Sequence, residues 1–143
     1  MLAPPCLHCK QEAELTSGCE VYPHLPDLHQ KPIWICRNCA AYCGCHPGTN
    51  VSLGYPANRD TRQARMKLHN LRLDPLWKKD KRTGRKGPFK RSEVYLYLQR
   101  CMHLAADEAH TGMFTIEQCR EAWAHLGALE RYGRSALEAQ VIE

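Results

Sequence analysis

The chain has 143 residues, the size of one ordinary domain, and its content of 43% hydrophobic and 24% charged residues is that of a folded protein rather than a disordered one. No apolar run approaches the roughly 20 residues that cross a bilayer, and the first ten residues hold two prolines and two cysteines in place of an apolar signal segment, so the expectation is a cytoplasmic protein with no membrane partner. The net charge of +5 is unevenly spread: residues 57–91 carry thirteen positive and three negative side chains, whereas residues 1–56 sum to −1 and residues 92–143 to −4.

Residues 1–56 are broken by prolines at 23, 26, 32, 47 and 56 and show no helical period, which reads as short strands and turns. Candidate strands are Ala13–Leu15, Glu20–Tyr22 and Lys31–Cys36. So little regular structure needs another constraint, and the cysteines offer one. Nine cysteines in a reducing compartment are an odd number that internal disulfides cannot pair off. Cys6-Leu7-His8-Cys9 and Cys36-Arg37-Asn38-Cys39 are two C-x-x-C turns separated by 26 residues. Each points two thiolates at one ion, and together they make a closed tetrahedral site for one structural Zn2+ per chain, with iron as the rival for four sulfurs. Lys10 and Ala40 stand where glycine often follows such turns. Cys43, Cys45 and His46 follow closely enough to offer ligands for a second metal, and Cys45 or His46 could instead replace one of the four.

Helical spacing begins at Asn58, with Ala64, Leu68 and Leu71 on one face, and Pro75 ends a basic helix expected over residues 58–73. Residues 78–91 have no apolar period and read as an exposed, mobile basic loop. Ser92 is the candidate N-cap of a helix over residues 92–106. Thr115 and Gln118 form a capping box ahead of a helix over residues 116–132, and the last ten residues are expected to fray. The fold class is therefore α+β, organised as residues 1–56, a four-cysteine module of zinc-ribbon or treble-clef type, packed as one compact unit on residues 57–143, a basic helical bundle of about three helices.

Several segments in order resemble a family of zinc-finger-containing domains of unknown function found in bacteria and their phages. They are the first C-x-x-C, Val21–Asp27, Trp34–Tyr42, Gly44–Asn50, Pro56-Ala57-Asn58, Asp74-Pro75-Leu76-Trp77 and His110–Phe114, with Arg62, Arg65 and His69 between them. The resemblance implies a zinc site and names no activity.

Three functions follow as expectations. A nucleic-acid-binding or regulatory protein would neutralise phosphates with Arg59, Arg62, Arg65, Lys67, Arg72, Lys78, Lys79, Lys81, Arg82, Arg85, Lys86, Lys90 and Arg91, and stack bases on Trp77, Phe89, Tyr95 or Tyr97. A metal-dependent nuclease of the His-metal-finger kind would use His24 to activate water, Asp27 to hold a divalent ion and His46 as a further candidate catalytic group. A phage or mobile-element protein would dock its basic loop on an acidic host protein.

Overall fold

The computed structural model describes residues 3–141. The chain forms two compact units, Met1–Arg62 and Gln63–Glu143.

The first unit is built on an antiparallel sheet of β1 (Glu14–Ser17), β2 (Pro32–Cys36) and β3 (Ala41–Gly44), with β2 in the centre. Leu15 faces Trp34 across one pairing, and Trp34 faces Cys43 across the other. The central strand is covered on both sides. Trp34 packs with Ala13 and Cys43, and its indole N–H donates to the Asn50 carbonyl at 2.8 Å, while Ile33 is buried too. This is how a sheet of short strands keeps its register.

Residues Glu20–Tyr22, expected as a strand, instead lie in or beside α1, a single turn over Gly18–Val21. The cause is the backbone at Gly18. Its N–H donates to Lys31 O at 2.8 Å and its carbonyl accepts from Tyr22 N at 2.7 Å, so the chain curls before any ladder can form. A Cβ at Gly18 would lie 1.7 Å from the Leu28 carbonyl oxygen. Gly18→Ala is therefore expected to cost at least about 2 kcal/mol, since backbone cannot step aside as a side chain can. Denaturant unfolding followed at the tryptophans would show it; an unshifted midpoint would mean that this approach is not fixed.

Helix α2 (Arg59–Lys67) spans the boundary between the units. Asn58 caps it, its Oδ1 accepting from Thr61 N at 3.0 Å. The helix then widens into a π turn over Leu68–Leu73 and tightens into a 3-10 turn over Asp74–Leu76, where Pro75 sits at the start. The second unit continues with α3 (Arg91–Met102), α4 (Ile116–Tyr132) and α5 (Arg134–Val141). The Thr115–Gln118 capping box forms as expected, at 3.0 and 3.1 Å. Two expectations change. Lys90 rather than Ser92 takes the cap of α3, because Glu93 reaches back to accept the Lys90 N–H at 2.9 Å. The tail does not fray through residue 141: Gly133 turns the chain at φ 64° and Leu137 is buried on α5. Leu68, Leu73, Val94, Leu98, Phe114, Leu126 and Leu129, all at most 1% exposed, anchor the core of this unit.

The basic segment is more ordered in its bonding than a plain loop. Asp80 N donates to Arg85 O at 2.7 Å, Gly87 N donates to Lys78 O at 3.2 Å, and Lys79 pairs with Lys86, forming a small hairpin. Asp80 Oδ1 accepts from Arg82 N at 2.8 Å, and Gly84 takes φ 73° at the turn. Among the described residues, no helix is long and apolar enough to cross a membrane.

Candidate functional site

The four thiols of Cys6, Cys9, Cys36 and Cys39 lie within 4.8 Å of one another. Each pair sits at a hairpin tip. The first is closed by Cys6 N donating to Gln11 O at 2.8 Å and by a bridge between Pro5 and Glu12, and the second by the β2–β3 pairing of Cys36 with Ala41. Because the second pair runs into a strand and not into a helix, the arrangement is ribbon-like rather than clef-like. Cys9 Sγ and Cys36 Sγ are 3.6 Å apart. Zinc–sulfur bonds of about 2.3 Å in a tetrahedron place sulfurs about 3.8 Å apart, so the set fits a single zinc ion with little movement. His8 N donates to Cys6 Sγ at 3.4 Å, an amide–thiolate contact that suits a negative sulfur. The other thiols, Cys9 foremost, together with partial burial push the Cys39 thiol up to about 12. In the metal-free cluster that thiol holds its proton near neutral pH, and a cation must displace it on binding.

Lys10 and Ala40 follow the two pairs at φ 67° and 51°, in the left-handed region where glycine would sit without strain. Lys10 recovers something through an Nζ bond to Leu7 O at 2.9 Å. Ala40 has no such bond. Ala40→Gly is expected to stabilise the zinc-loaded protein by about 1 kcal/mol, read as a higher denaturant midpoint. A lower midpoint would show that the unfolded-state entropy of glycine outweighs the relieved strain.

The knuckles are also tied outward. Arg37 pairs with Glu14 at 2.8 Å and with Glu20, and these bonds to Arg37 hold the Glu20 carboxyl down at about 2. The Glu20 contribution is present above its ordinary pKa of about 4.5 and fades as the pH falls toward 2. His8 Nε2 accepts from Asn58 N at 2.9 Å, linking the first knuckle to the start of α2. Sequence reasoning does not reach this bond, because a histidine between two cysteines carries no signal of its distant partner.

Of the further ligand candidates, Cys43 is buried with its Sγ donating to Gly54 O at 3.6 Å, Cys45 is half-buried and His46 is exposed. Among the described residues only the four named cysteines gather as a metal group. His24 and Asp27 lie exposed on the loop around the Pro26–Leu28 turn and do not join His46 in such a group.

The second unit holds a cleft of about 760 Å³. Asn70 and Asp74 line it together with Lys78, Lys79, Asp80, Lys81, Arg85 and Lys86 of the hairpin. All five cations are exposed, and among the described residues only Lys78 of the five has an ion pair, with Asp74 at 3.8 Å. Asp74 also meets His69 Nδ1 at 3.3 Å, while its Oδ1 is buried without a partner among the described residues. Gly87 is required at the hairpin's base, where a Cβ would lie 2.2 Å from the Leu76 carbonyl carbon.

Other basic residues are placed differently from one another. Arg59, Lys67, Arg82, Lys90 and Arg91 are exposed. Arg62 is half-buried, with its guanidinium 3.6 Å above the Tyr42 ring and Nη1 donating to Ala57 O. Arg72 lies over Trp123 and pairs with Glu130 at 3.3 Å. Arg65 is a correction: only 8% exposed, it donates through Nε to Phe114 O at 2.9 Å and is a strut of the second unit, not a surface cation. Phe89 and Tyr97 are corrections too. At 3% and 4% exposed they belong to the core, because their positions next to and within α3 face inward.

The model of the zinc-finger-containing domain family DUF3268 matches residues 3–128. The chain belongs to this family. No curated protein and no solved structure matches it. The family's zinc finger and the four-cysteine cluster agree, and both the knuckles and the basic cleft fall inside the matched segment. In this zinc-finger protein the metal is structural: four thiolates leave no open position for a substrate or for water.

Proposed function

We propose that this zinc-finger-containing protein binds nucleic acid through the basic cleft of its second unit. The observation that carries the reading is the set of four exposed cations, Lys79, Lys81, Arg85 and Lys86, that line one cleft and have no ion pair among the described residues. Like charges are held together on a short hairpin at a cost in repulsion, which an anionic ligand relieves. A phosphate backbone presents charges at the spacing of such side chains, and its binding releases counterions. Asp74 and Asp80 also line the cleft, so phosphate is expected to sit against the four cations and away from these two carboxylates. The zinc ion takes no part in contact and holds the first unit in shape.

The experiment is fluorescence anisotropy with labelled duplex DNA, single-stranded DNA and RNA at about 50 and 200 mM salt. Binding that weakens steeply with salt is the expected result; no binding to any of them at the lower salt sinks the reading.

A further inference from the structure

Cations grip phosphate but leave the bases unheld. The aromatic residues expected to stack are poorly placed for it: Phe89 and Tyr97 are core, and Arg91 lies 5.6 Å from the Trp77 ring centroid and 4.5 Å from that of Tyr95. Trp123 on α4 is different. The Arg72 guanidinium covers one part of it at 4.5 Å from the ring centroid, and Glu130 fixes Arg72 in turn. Trp123, which also packs against the core of this unit, lines an open cleft of about 340 Å³ together with Ala64 and Lys67 of α2 and Cys119 and Arg120 of α4. Ala64, the indole and Cys119, a buried thiol that behaves as a small hydrophobe, make much of its lining apolar. Lys67 and Arg120 are exposed and have no ion pair among the described residues. An indole in an apolar cleft between two free cations is the combination that single-strand binders use, a π face for a base and charges for the phosphates on either side.

We propose that the cleft between α2 and α4 takes one unpaired base of a single-stranded nucleic acid, stacked on Trp123, with Lys67 and Arg120 holding the flanking phosphates. This rests on the nucleic-acid reading and adds to it a preference for single strands, because bases within a duplex present no free face. An apolar peptide would leave both cations without a counter-charge, which favours the phosphate-bearing ligand.

The test measures the affinity of a labelled 15-residue oligothymidylate and of a duplex of equal length for the full chain and for Trp123→Leu, Trp123→Phe and the double variant Lys67→Ala/Arg120→Ala. The expected result is a loss of about tenfold or more in single-strand affinity for Trp123→Leu, with duplex affinity kept and Trp123→Phe in between. The double variant should flatten the salt dependence of single-strand binding by roughly 1.4 in the log–log slope. Because it leaves the indole in place, it tests the site even where Trp123→Leu unfolds the chain. Unchanged single-strand binding in all three variants, or an equal loss for single strand and duplex, overturns the stacking site while leaving the basic cleft standing. Failure of the unaltered protein to bind the oligothymidylate overturns the stacking site, and failure to bind any of duplex DNA, single-stranded DNA and RNA overturns both.

Discussion

Cys36→Ser is expected to abolish zinc binding and unfold the first unit while the helical signal of the second persists. A structural zinc site of this kind contributes an apparent stabilisation on the order of 10 kcal/mol, more than a small turn-rich unit can supply from apolar burial. The buried clusters of the first unit are small: Cys6, Cys36 and Ala41 in one, and Ala13, Trp34 and Cys43 in the other. Half of those residues are thiols. A serine hydroxyl in place of the Cys36 thiolate removes a ligand that zinc cannot do without. Metal content by mass spectrometry, far-ultraviolet circular dichroism and the environment of Trp34, which is 7% exposed, report the three parts of the expectation separately. The second unit should keep its helices, because its core draws on residues from Ala64 onward. Acid should mimic the substitution, as protons compete with zinc for the thiolates and the affinity falls with pH. A variant that keeps both its zinc and its fold would show that the ligand set is wrong.

The second large effect concerns the hairpin. Replacing Lys79, Lys81, Arg85 and Lys86 with alanine removes the four cations of the basic cleft that have no ion pair among the described residues. The hairpin itself is held by backbone bonds, by the Asp80 side chain and by the close approach at Gly87, so its shape and the melting temperature should be kept. Each lost duplex contact removes about 0.9 from the log–log salt slope, and four contacts over a fourfold change in salt amount to roughly a hundredfold in affinity. The unaltered protein should therefore lose affinity steeply between about 50 and 200 mM salt, and the variant should bind weakly at both. Equal slopes for the two proteins would place the binding surface elsewhere.

Much of the zinc site was legible, because C-x-x-C is local chemistry: with two residues between them on a turn, the sulfurs converge wherever the turn sits. The capping box at Thr115 was legible for the same reason. What escaped was decided across distance. Glu20–Tyr22 has the composition of a strand, yet a backbone contact between Gly18 and Leu28 curls it first. Arg65 lies in a row of arginines spaced by three and looks like its neighbours, but the helix turns it toward Phe114 O. Phe89 follows a run of glycines, cations and proline that hides a core residue. In the candidate site, the cations were readable as a charge excess; that a hairpin would gather them around one cleft was not, since it depends on Asp80 and on the packing at Gly87.

The bond from Asn58 N to His8 Nε2 has a consequence for the start of α2. Asn58 is the residue that caps α2, and its own backbone N–H is held by a side chain from inside the first knuckle. Opening of that knuckle is therefore expected to loosen the first turn of α2 while leaving the bond from Thr61 N to the Asn58 side chain to hold it.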